Sequence, residues 1–320
     1  MRIKQFLILL LLSSGVILGF EKTGTTSFQF LKVMTTARAY AMAGAYTTVA
    51  SKSDAVFWNP AGLTTVETFS ASAGYTDWFM DVAHYSFSAA YTYSNVGTFA
   101  VFGMFSDIGS IEETTVSGLG FVNGKYVPGL TGRTFSPSSM VFGISYARDL
   151  NDRFTFGINL KYAREDLVYQ SAGVLIFDGG LTYKTGFKSI VIGAALNNFG
   201  PEVKFVDRGY PLPQTLSLGI SSKLIGGDDP LLTNIGSNSL ILAYDMLQPR
   251  DFGQQHVVGM EYSFEEMFFL RSGYKFNGDQ EGLSFGAGIE FKGYSVDYAY
   301  SDFGEYLDTV HRISIGINVN

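Results

Sequence analysis

Hydrophobic and polar residues alternate along most of the chain that follows Glu67. In the stretch Phe154–Tyr162 every second residue is large and apolar, and the residues between them are small or polar. The same pattern recurs at 83–94, at 283–301 and in the last residues before the C-terminus. Because successive side chains of a β-strand point to opposite faces, a period of two predicts strands with one apolar and one polar face.

The length and spacing of these strands favour a transmembrane barrel over a soluble β-sandwich, which would also alternate. The stretches are about ten residues long, as a tilted strand crossing a bilayer requires, whereas sandwich strands are usually about five or six. Short turns interleave with longer loops, and tyrosines lie at strand ends, where an aromatic girdle would sit. We therefore predict an all-β transmembrane fold, an antiparallel barrel of about 14 strands over residues 67–320 in the cell outer membrane.

The N-terminus predicts export. Arg2 and Lys4 precede the apolar run Phe6–Leu12, which is typical of a secretory signal peptide over residues 1–19. A membrane anchor is the alternative, but the apolar run is shorter than the roughly 20 residues that a spanning helix needs. The chain has no cysteine, which excludes a lipid-modified N-terminal cysteine and disulfides alike.

Residues 20–66 differ from the rest because they lack strand-like alternation. Small residues dominate from Thr35 to Ala50, and Asn59 could cap a short helix that begins at Pro60 and stops at Gly62. We expect this helical and turn material to pack inside the barrel as a plug segment. Its characteristic residues are Arg38, Met42, Gly44, Asp54, Asn59, Pro60 and Gly62.

The plug segment also carries a family resemblance. The runs 37–45, 54–55 and 59–63, with further matches such as 296–302, resemble outer-membrane proteins of the PorV/PorQ type, and the Asn-Pro-Ala portion is shared with FadL-like barrels. The resemblance implies a FadL-type barrel of fourteen strands with an N-terminal plug. It further implies docking or shuttling of secreted cargo proteins in a type IX secretion-like system. Its partners would be outer-membrane lipid, secreted proteins and other secretion components.

Two features qualify what the resemblance implies. Barrels of this kind commonly end in an aromatic residue, and this chain ends in Val319 and Asn320. The fold also carries over to a new chain more safely than the function does. FadL-like transport of hydrophobic small molecules across the outer membrane therefore stays open as the alternative function.

Composition and spacing argue against catalysis and against nucleic acid. The net charge of -7 and the absence of clustered lysine and arginine disfavour phosphate binding. His84, His256 and His311 lie far apart in the sequence, without the spacing of metal ligands. No nucleophile motif is present. We expect no catalytic residue, no metal and no cofactor.

Two groups of residues remain as candidate functional sites. Charged residues on the polar face should lie in the lumen, where they either pair with one another or line a solute path: Lys161, Arg271, Lys275, Glu290, Asp297 and Arg312. The long loop 108–137 contains apolar residues that either bind a partner protein or fold inward over the barrel mouth: Val116, Leu119, Phe121, Tyr126 and Leu130.

Overall fold

The computed structural model describes residues 23–33, 35–278, 282–303 and 309–319. The expected signal peptide, residues 1–19, lies outside them. Fourteen antiparallel strands form a closed barrel in which neighbours along the chain are neighbours in the wall. The barrel strands are β1 (Phe69–Asp77), β2 (Ala83–Tyr93), β3 (Gly97–Asp107), β6 (Ser138–Asp149), β7 (Phe154–Asp166), β8 (Ser171–Lys184), β9 (Val191–Phe199), β12 (Thr215–Ile225), β13 (Ser239–Pro249), β14 (Gln255–Phe264), β15 (Phe268–Phe276), β16 (Leu283–Phe291), β17 (Tyr294–Ser301) and β18 (Val310–Val319).

The barrel closes where β1 pairs with β18, with Ala73 opposite Ile315. Its two faces follow the alternation of the sequence. Leu160 and Ile315 are exposed on the outside, whereas Asn159 and Arg312 are buried in the lumen. An outer surface covered with exposed phenylalanine, tyrosine, leucine and isoleucine is a lipid-facing surface. The predicted barrel and its outer-membrane location are confirmed.

The two ends of the barrel differ, as the sequence indicated. Short turns at one end join β2 to β3, β6 to β7, β14 to β15 and β16 to β17. Longer loops lie at the other end, and they include two hairpins outside the barrel: β4 (Ile111–Val122) with β5 (Lys125–Phe135), and β10 (Val203–Lys204) with β11 (Gly209–Tyr210). In barrels of this kind the turn end is periplasmic and the loop end is extracellular.

One connection at the turn end is long and spans residues 226–238. It folds back along the end of β12, where the backbone N–H groups of Leu231 and Leu232 donate to the carbonyls of Lys223 and Leu224.

None of the helices in the described part of the chain has the length and apolar character needed to span a membrane.

Residues 35–66, which we call the inner segment, contact the inward faces of the barrel strands. The segment contains the α-helix α1 (Ala37–Ala41) and two 3-10 helices, Ser53–Phe57 and Pro60–Thr65. Contacts link α1 to β15–β18, and link the helix Pro60–Thr65 to β3 and β6–β8. Tyr46, Val56 and Leu63 of the segment are buried together with Phe102 of the wall.

The motif around Asn59 behaves as expected at two of its three positions. The Asn59 side chain accepts a hydrogen bond from the Ala61 backbone N–H at 3.1 Å, and Pro60 is the first helical residue. The expected stop at Gly62 is wrong, because the 3-10 helix continues to Thr65. A methyl group at residue 62 would overlap the backbone of Ala50, so the glycine serves close packing rather than termination.

The wall has glycines where the inner segment passes closest. Three pairs of glycines lie directly opposite each other on neighbouring strands, and a methyl group on any of them would meet the inner segment or overlap a wall side chain beside it. Because glycine has no side chain, each pair lets the inner segment pack directly against the backbone of the wall. The pairs are Gly157–Gly180, Gly193–Gly219 and Gly259–Gly273.

Candidate functional site: the lumen and the extracellular hairpin

A group of charged side chains links the inner segment to the barrel wall. The Arg38 guanidinium binds both carboxylate oxygens of Glu261, at 2.7 and 2.8 Å. Arg271 contacts the same carboxylate at 2.5 Å and reaches Asp297 at 2.6 Å. The carboxylates and arginines therefore form one continuous chain from the segment to β14, β15 and β17. Bidentate arginine–carboxylate contacts of this kind are among the stronger polar interactions in proteins.

Further polar anchors lie along the segment. The carboxylate of Asp245 on β13 accepts hydrogen bonds from the backbone N–H groups of Tyr46 and Thr47, both at 2.8 Å. Lys52 pairs with Glu290 of β16 at 2.7 Å. Glu261 and Glu290 therefore pair with cations of the inner segment, and Glu261 also pairs with Arg271 of the wall.

Lys161 lies in a pair confined to the wall. Its ammonium group contacts Asp178 at 2.8 Å and the Asn198 side-chain oxygen at 2.8 Å. The pairing of β8 and β9 is irregular next to this contact. The register of the two strands shifts there, and Asn198 has a positive φ of 59°, which brings its side chain toward Lys161. Two consecutive asparagines can then face the lumen, and Asn197 donates to the Trp58 carbonyl at 3.0 Å.

The remaining predicted residues have separate environments. The Arg312 guanidinium lies 3.2 Å from the ring centroid of Tyr40, in a cation–π contact. The Asp54 carboxylate accepts hydrogen bonds from the hydroxyls of Ser72 and Ser88 in the wall. Burial raises the pKa of the Asp54 carboxyl, and these two hydrogen bonds oppose that shift. Met42 is buried, and Gly44 and Lys275 line the cavity described below.

Residues 23–33, which we call the strap, cross the extracellular end of the lumen. Asp251, in the loop after β13, holds the strap by a contact that we call the clamp. Its carboxylate accepts hydrogen bonds from the Thr26 hydroxyl at 2.6 Å and from the Lys32 ammonium group at 2.5 Å. Ser27 donates its backbone N–H to Pro211 at 2.9 Å. Burial alone would raise the pKa of Asp251, but hydrogen bonds from Lys32, Thr26 and Gln29 outweigh it, so the net shift is downward.

A cavity of about 430 Å³ lies between the strap and the inner segment. Its lining is mainly aromatic and aliphatic, with Lys161 and Lys275 among its polar groups. The sequence did not single out the apolar residues of the lining, because strand β3 has large apolar residues on both faces and so lacks a clear alternation. The lining includes Trp58, Trp78, Phe102, Met104, Val141 and Leu247.

The predicted partner-binding residues lie together on the hairpin β4–β5. Val116 is 84% exposed and Phe121 is 76% exposed, and Leu119, Tyr126 and Leu130 are exposed as well. The alternative, in which this loop folds inward over the barrel mouth, does not agree with that exposure. At the base of the hairpin, Glu113 pairs with Arg133 at 2.8 Å.

Each of the three histidines contacts a hydroxyl group: His84 that of Ser106, His256 that of Tyr244 and His311 that of Tyr298. Within the described residues no cluster of three or more histidines and carboxylates could hold a metal ion.

Several solved structures share the fold of this barrel. The toluene transporter TodX of Pseudomonas putida superposes with a TM-score of 0.60 at 13% identity, covering 88% of this chain and 98% of that one. The monoaromatic hydrocarbon channel CymD superposes with a TM-score of 0.56 at 12% identity, covering 89% of this chain and 98% of that one. A FadL homologue of Pseudomonas aeruginosa superposes with a TM-score of 0.54 at 12% identity, covering 90% of this chain and 99% of that one.

The fold is that of a FadL-type outer-membrane barrel. The expected FadL-like architecture is therefore confirmed, and at these identities the likeness concerns the fold alone. No protein-family model and no curated protein sequence matches the chain. The names of TodX, CymD and the FadL homologue do not support the PorV/PorQ group or type IX secretion.

Proposed function

We propose that the protein conducts hydrophobic small molecules across the outer membrane, which is the alternative that the sequence left open. The observation that carries the proposal is the cavity between the strap and the inner segment, whose lining is mainly aromatic and aliphatic. Two of the structures with the same fold, TodX and CymD, are a toluene transporter and a monoaromatic hydrocarbon channel.

The size and lining of the cavity suit such a solute. Pockets for small molecules are commonly about 300–1,000 Å³ and mostly apolar, with a few polar groups that fix orientation. Moving an apolar solute from water into this lining releases about 25 cal/mol for each Å² of apolar surface that is buried. The inner segment contacts strands on both sides of the barrel, and we expect it to leave no wide path for a hydrated ion. The architecture thus favours apolar solutes over polar ones.

Intrinsic tryptophan fluorescence offers a direct test. The chain has two tryptophans, and both Trp58 and Trp78 line the cavity. Titration of the detergent-purified protein with toluene should change the tryptophan emission in a saturable way. Glucose, which cannot replace its hydration shell in an apolar cavity, should leave the emission unchanged.

The Trp78→Phe variant shows how much of the change in emission comes from each tryptophan. It should keep a saturable response to toluene from Trp58 with reduced amplitude. If toluene changes the emission only linearly and without saturation, as bulk detergent partitioning would, the cavity does not bind hydrocarbons and the proposal is wrong.

A second candidate function is the docking of secreted proteins in a type IX secretion-like system, as the PorV/PorQ resemblance implies. One observation favours it: the hairpin β4–β5 presents apolar side chains to solvent at the extracellular end, and transport through the lumen does not require them. Deletion of residues 116–130 tests it. Docking predicts loss of co-purifying secreted proteins with toluene binding unchanged, and partners that all remain bound would exclude docking by the hairpin.

A further inference from the structure

The cavity between the strap and the inner segment has an apolar side and a polar side. Phe102 of β3 and Val141 of β6 belong to the apolar side, and Lys161 of β7 with Asn197 and Asn198 of β9 belongs to the polar side. These strands follow one another around the wall in the order β3, β6, β7, β8 and β9, so the two sides meet between β6 and β7. A solute in the cavity therefore contacts hydrocarbon on one side and hydrogen-bonding groups on the other.

A glycine brings the two sides next to each other. Gly143 of β6 lies directly opposite Phe102 on one neighbouring strand and opposite Lys161 on the other. A Cβ atom at residue 143 would lie 2.5 Å from the Phe102 ring, so the ring covers this glycine. Strand β6 therefore places no side chain between the aromatic ring and the lysine, whose strands are roughly 10 Å apart. A small ring can lie against Phe102 while its substituent reaches Lys161.

The Lys161 ammonium group has one N–H left for a solute. An ammonium group carries three donors and no acceptor. Two of the donors are taken by the Asp178 carboxylate and the Asn198 side-chain oxygen, both at 2.8 Å. Among the residues that the structure describes, no third acceptor contacts the group. Lys161 is only 8% exposed and lines the cavity, so an acceptor placed there would satisfy a buried donor.

An acceptor lies beside this donor. Asn197 precedes Asn198, lines the same cavity and donates its side-chain N–H to the Trp58 carbonyl at 3.0 Å. Its side-chain oxygen accepts no hydrogen bond from the described part of the chain. A hydroxyl group both donates and accepts. A single hydroxyl can therefore accept from Lys161 and donate to Asn197.

The charges at this point favour a neutral group over an acid. Asp178 already balances the charge of Lys161. A carboxylate would be a second anion beside this ion pair, and a buried charge without a partner of its own is costly. A hydroxyl group avoids that cost and still pairs with both polar groups.

We propose that the cavity selects hydrophobic molecules that carry one neutral hydroxyl group, such as cyclic or aromatic alcohols, and binds that group between Lys161 and Asn197. The inference rests on the transport function proposed above and narrows its class of solute. The ring of the solute would lie against Phe102 and Trp58. Toluene fills the same cavity but leaves the polar groups unpaired, and a site built to bind a hydroxyl group disfavours the analogue that lacks one.

Displacement of toluene, followed by tryptophan emission, tests the proposal with cyclohexanol and methylcyclohexane. The two compounds have rings of the same size, and neither absorbs light where tryptophan does. Each affinity is divided by the partition coefficient of the compound into the detergent micelles, so that hydrophobicity cancels. We call the ratio of the two corrected affinities the hydroxyl preference. In the unmodified protein it should be about tenfold or more in favour of cyclohexanol.

Two cavity variants locate the hydroxyl group. Lys161→Met combined with Asp178→Asn removes the donor without leaving an unpaired charge, and the hydroxyl preference should fall about tenfold. Asn197→Leu removes the acceptor alone and should lower the preference about threefold or more. The matched control, Lys52→Met combined with Glu290→Gln, removes an ion pair that does not line the cavity and should leave the preference unchanged. Circular dichroism shows that each variant is folded.

The outcomes separate this inference from the transport function. Equal corrected affinities for the two compounds in the unmodified protein would overturn the inference, while saturable toluene binding would leave the transport function in place. A hydroxyl preference that survives in both cavity variants would overturn it as well. If cyclohexanecarboxylate displaces toluene at a lower free concentration than cyclohexanol, the cavity recognises an acid and the inference is wrong. Toluene binding that does not saturate would instead contradict the transport function itself.

Discussion

Gly157 and Gly180 lie directly opposite each other on β7 and β8, and the inner segment passes so close to both that neither has room for a methyl group. A Cβ atom at residue 157 would overlap the backbone of Pro60, and one at residue 180 would overlap the side chain of Asn59. The Asn-Pro-Ala motif therefore fits the barrel because the wall lacks side chains at this point.

The first prediction concerns that fit. Gly180→Ala should loosen the inner segment and lower the free energy of unfolding by about 1–3 kcal/mol, as overpacking in a core does. It should also raise ion conductance in planar bilayers. The matched control is Gly179→Ala, one residue earlier, where an added methyl group meets nothing within 4 Å. Equal conductance for the two variants would mean that the inner segment does not close the lumen.

The second prediction concerns the chain of charges. Arg271→Met leaves the buried Glu261 carboxylate with Arg38 alone and Asp297 without its Arg271 contact, so it should destabilise the protein by about 3–5 kcal/mol in urea unfolding. Lys188→Met is the control, because Lys188 forms an exposed pair with Asp229. It should change the stability by less than about 1 kcal/mol. Similar effects for both would contradict the anchoring role of Arg271.

The third prediction is a pH dependence of the strap. The pKa of Asp251 in the folded state lies below its ordinary value of 3.8. A lowered pKa means that the clamp contributes stability above about pH 4 and loses it as the pH falls through the folded-state value. The protection factor of the Ser27 amide, which is its intrinsic exchange rate at each pH divided by the observed rate, should therefore fall in acid.

The Asp251→Asn variant supplies the comparison. It cannot form the ion pair with Lys32, so the protection factors of its strap amides should be low at neutral pH and change little as the pH falls. A strap that stays equally protected from pH 7 to pH 3 in the unmodified protein would exclude the clamp.

The barrel itself could be predicted because the alternation has a direct physical cause. Residues such as Phe156 and Asn159 are assigned to opposite faces by the period of two alone. The same rule placed Lys161, Asp297 and Arg312 on the polar face, toward the lumen. Local capping chemistry likewise gave the roles of Asn59 and Pro60.

The contacts across the lumen could not be predicted, because they join residues distant in sequence. Arg38 and Glu261 are separated by 223 positions, and the sequence around either residue does not indicate the other as its partner. Gly62 was misread because a glycine that ends a helix and one that permits close packing look the same in a sequence. The cavity was missed for a similar reason, since an apolar lining residue such as Met104 resembles any core residue.

Solute passage through the cavity is tested most directly by toluene influx into proteoliposomes. Met104→Trp enlarges a buried side chain that lines the cavity, whereas Phe105→Trp, the next residue, changes the lipid-facing surface. If the cavity is the path, Met104→Trp should reduce protein-dependent influx about tenfold or more while Phe105→Trp leaves it unchanged. Unchanged influx in Met104→Trp, with the barrel folded, would contradict the proposed transport function.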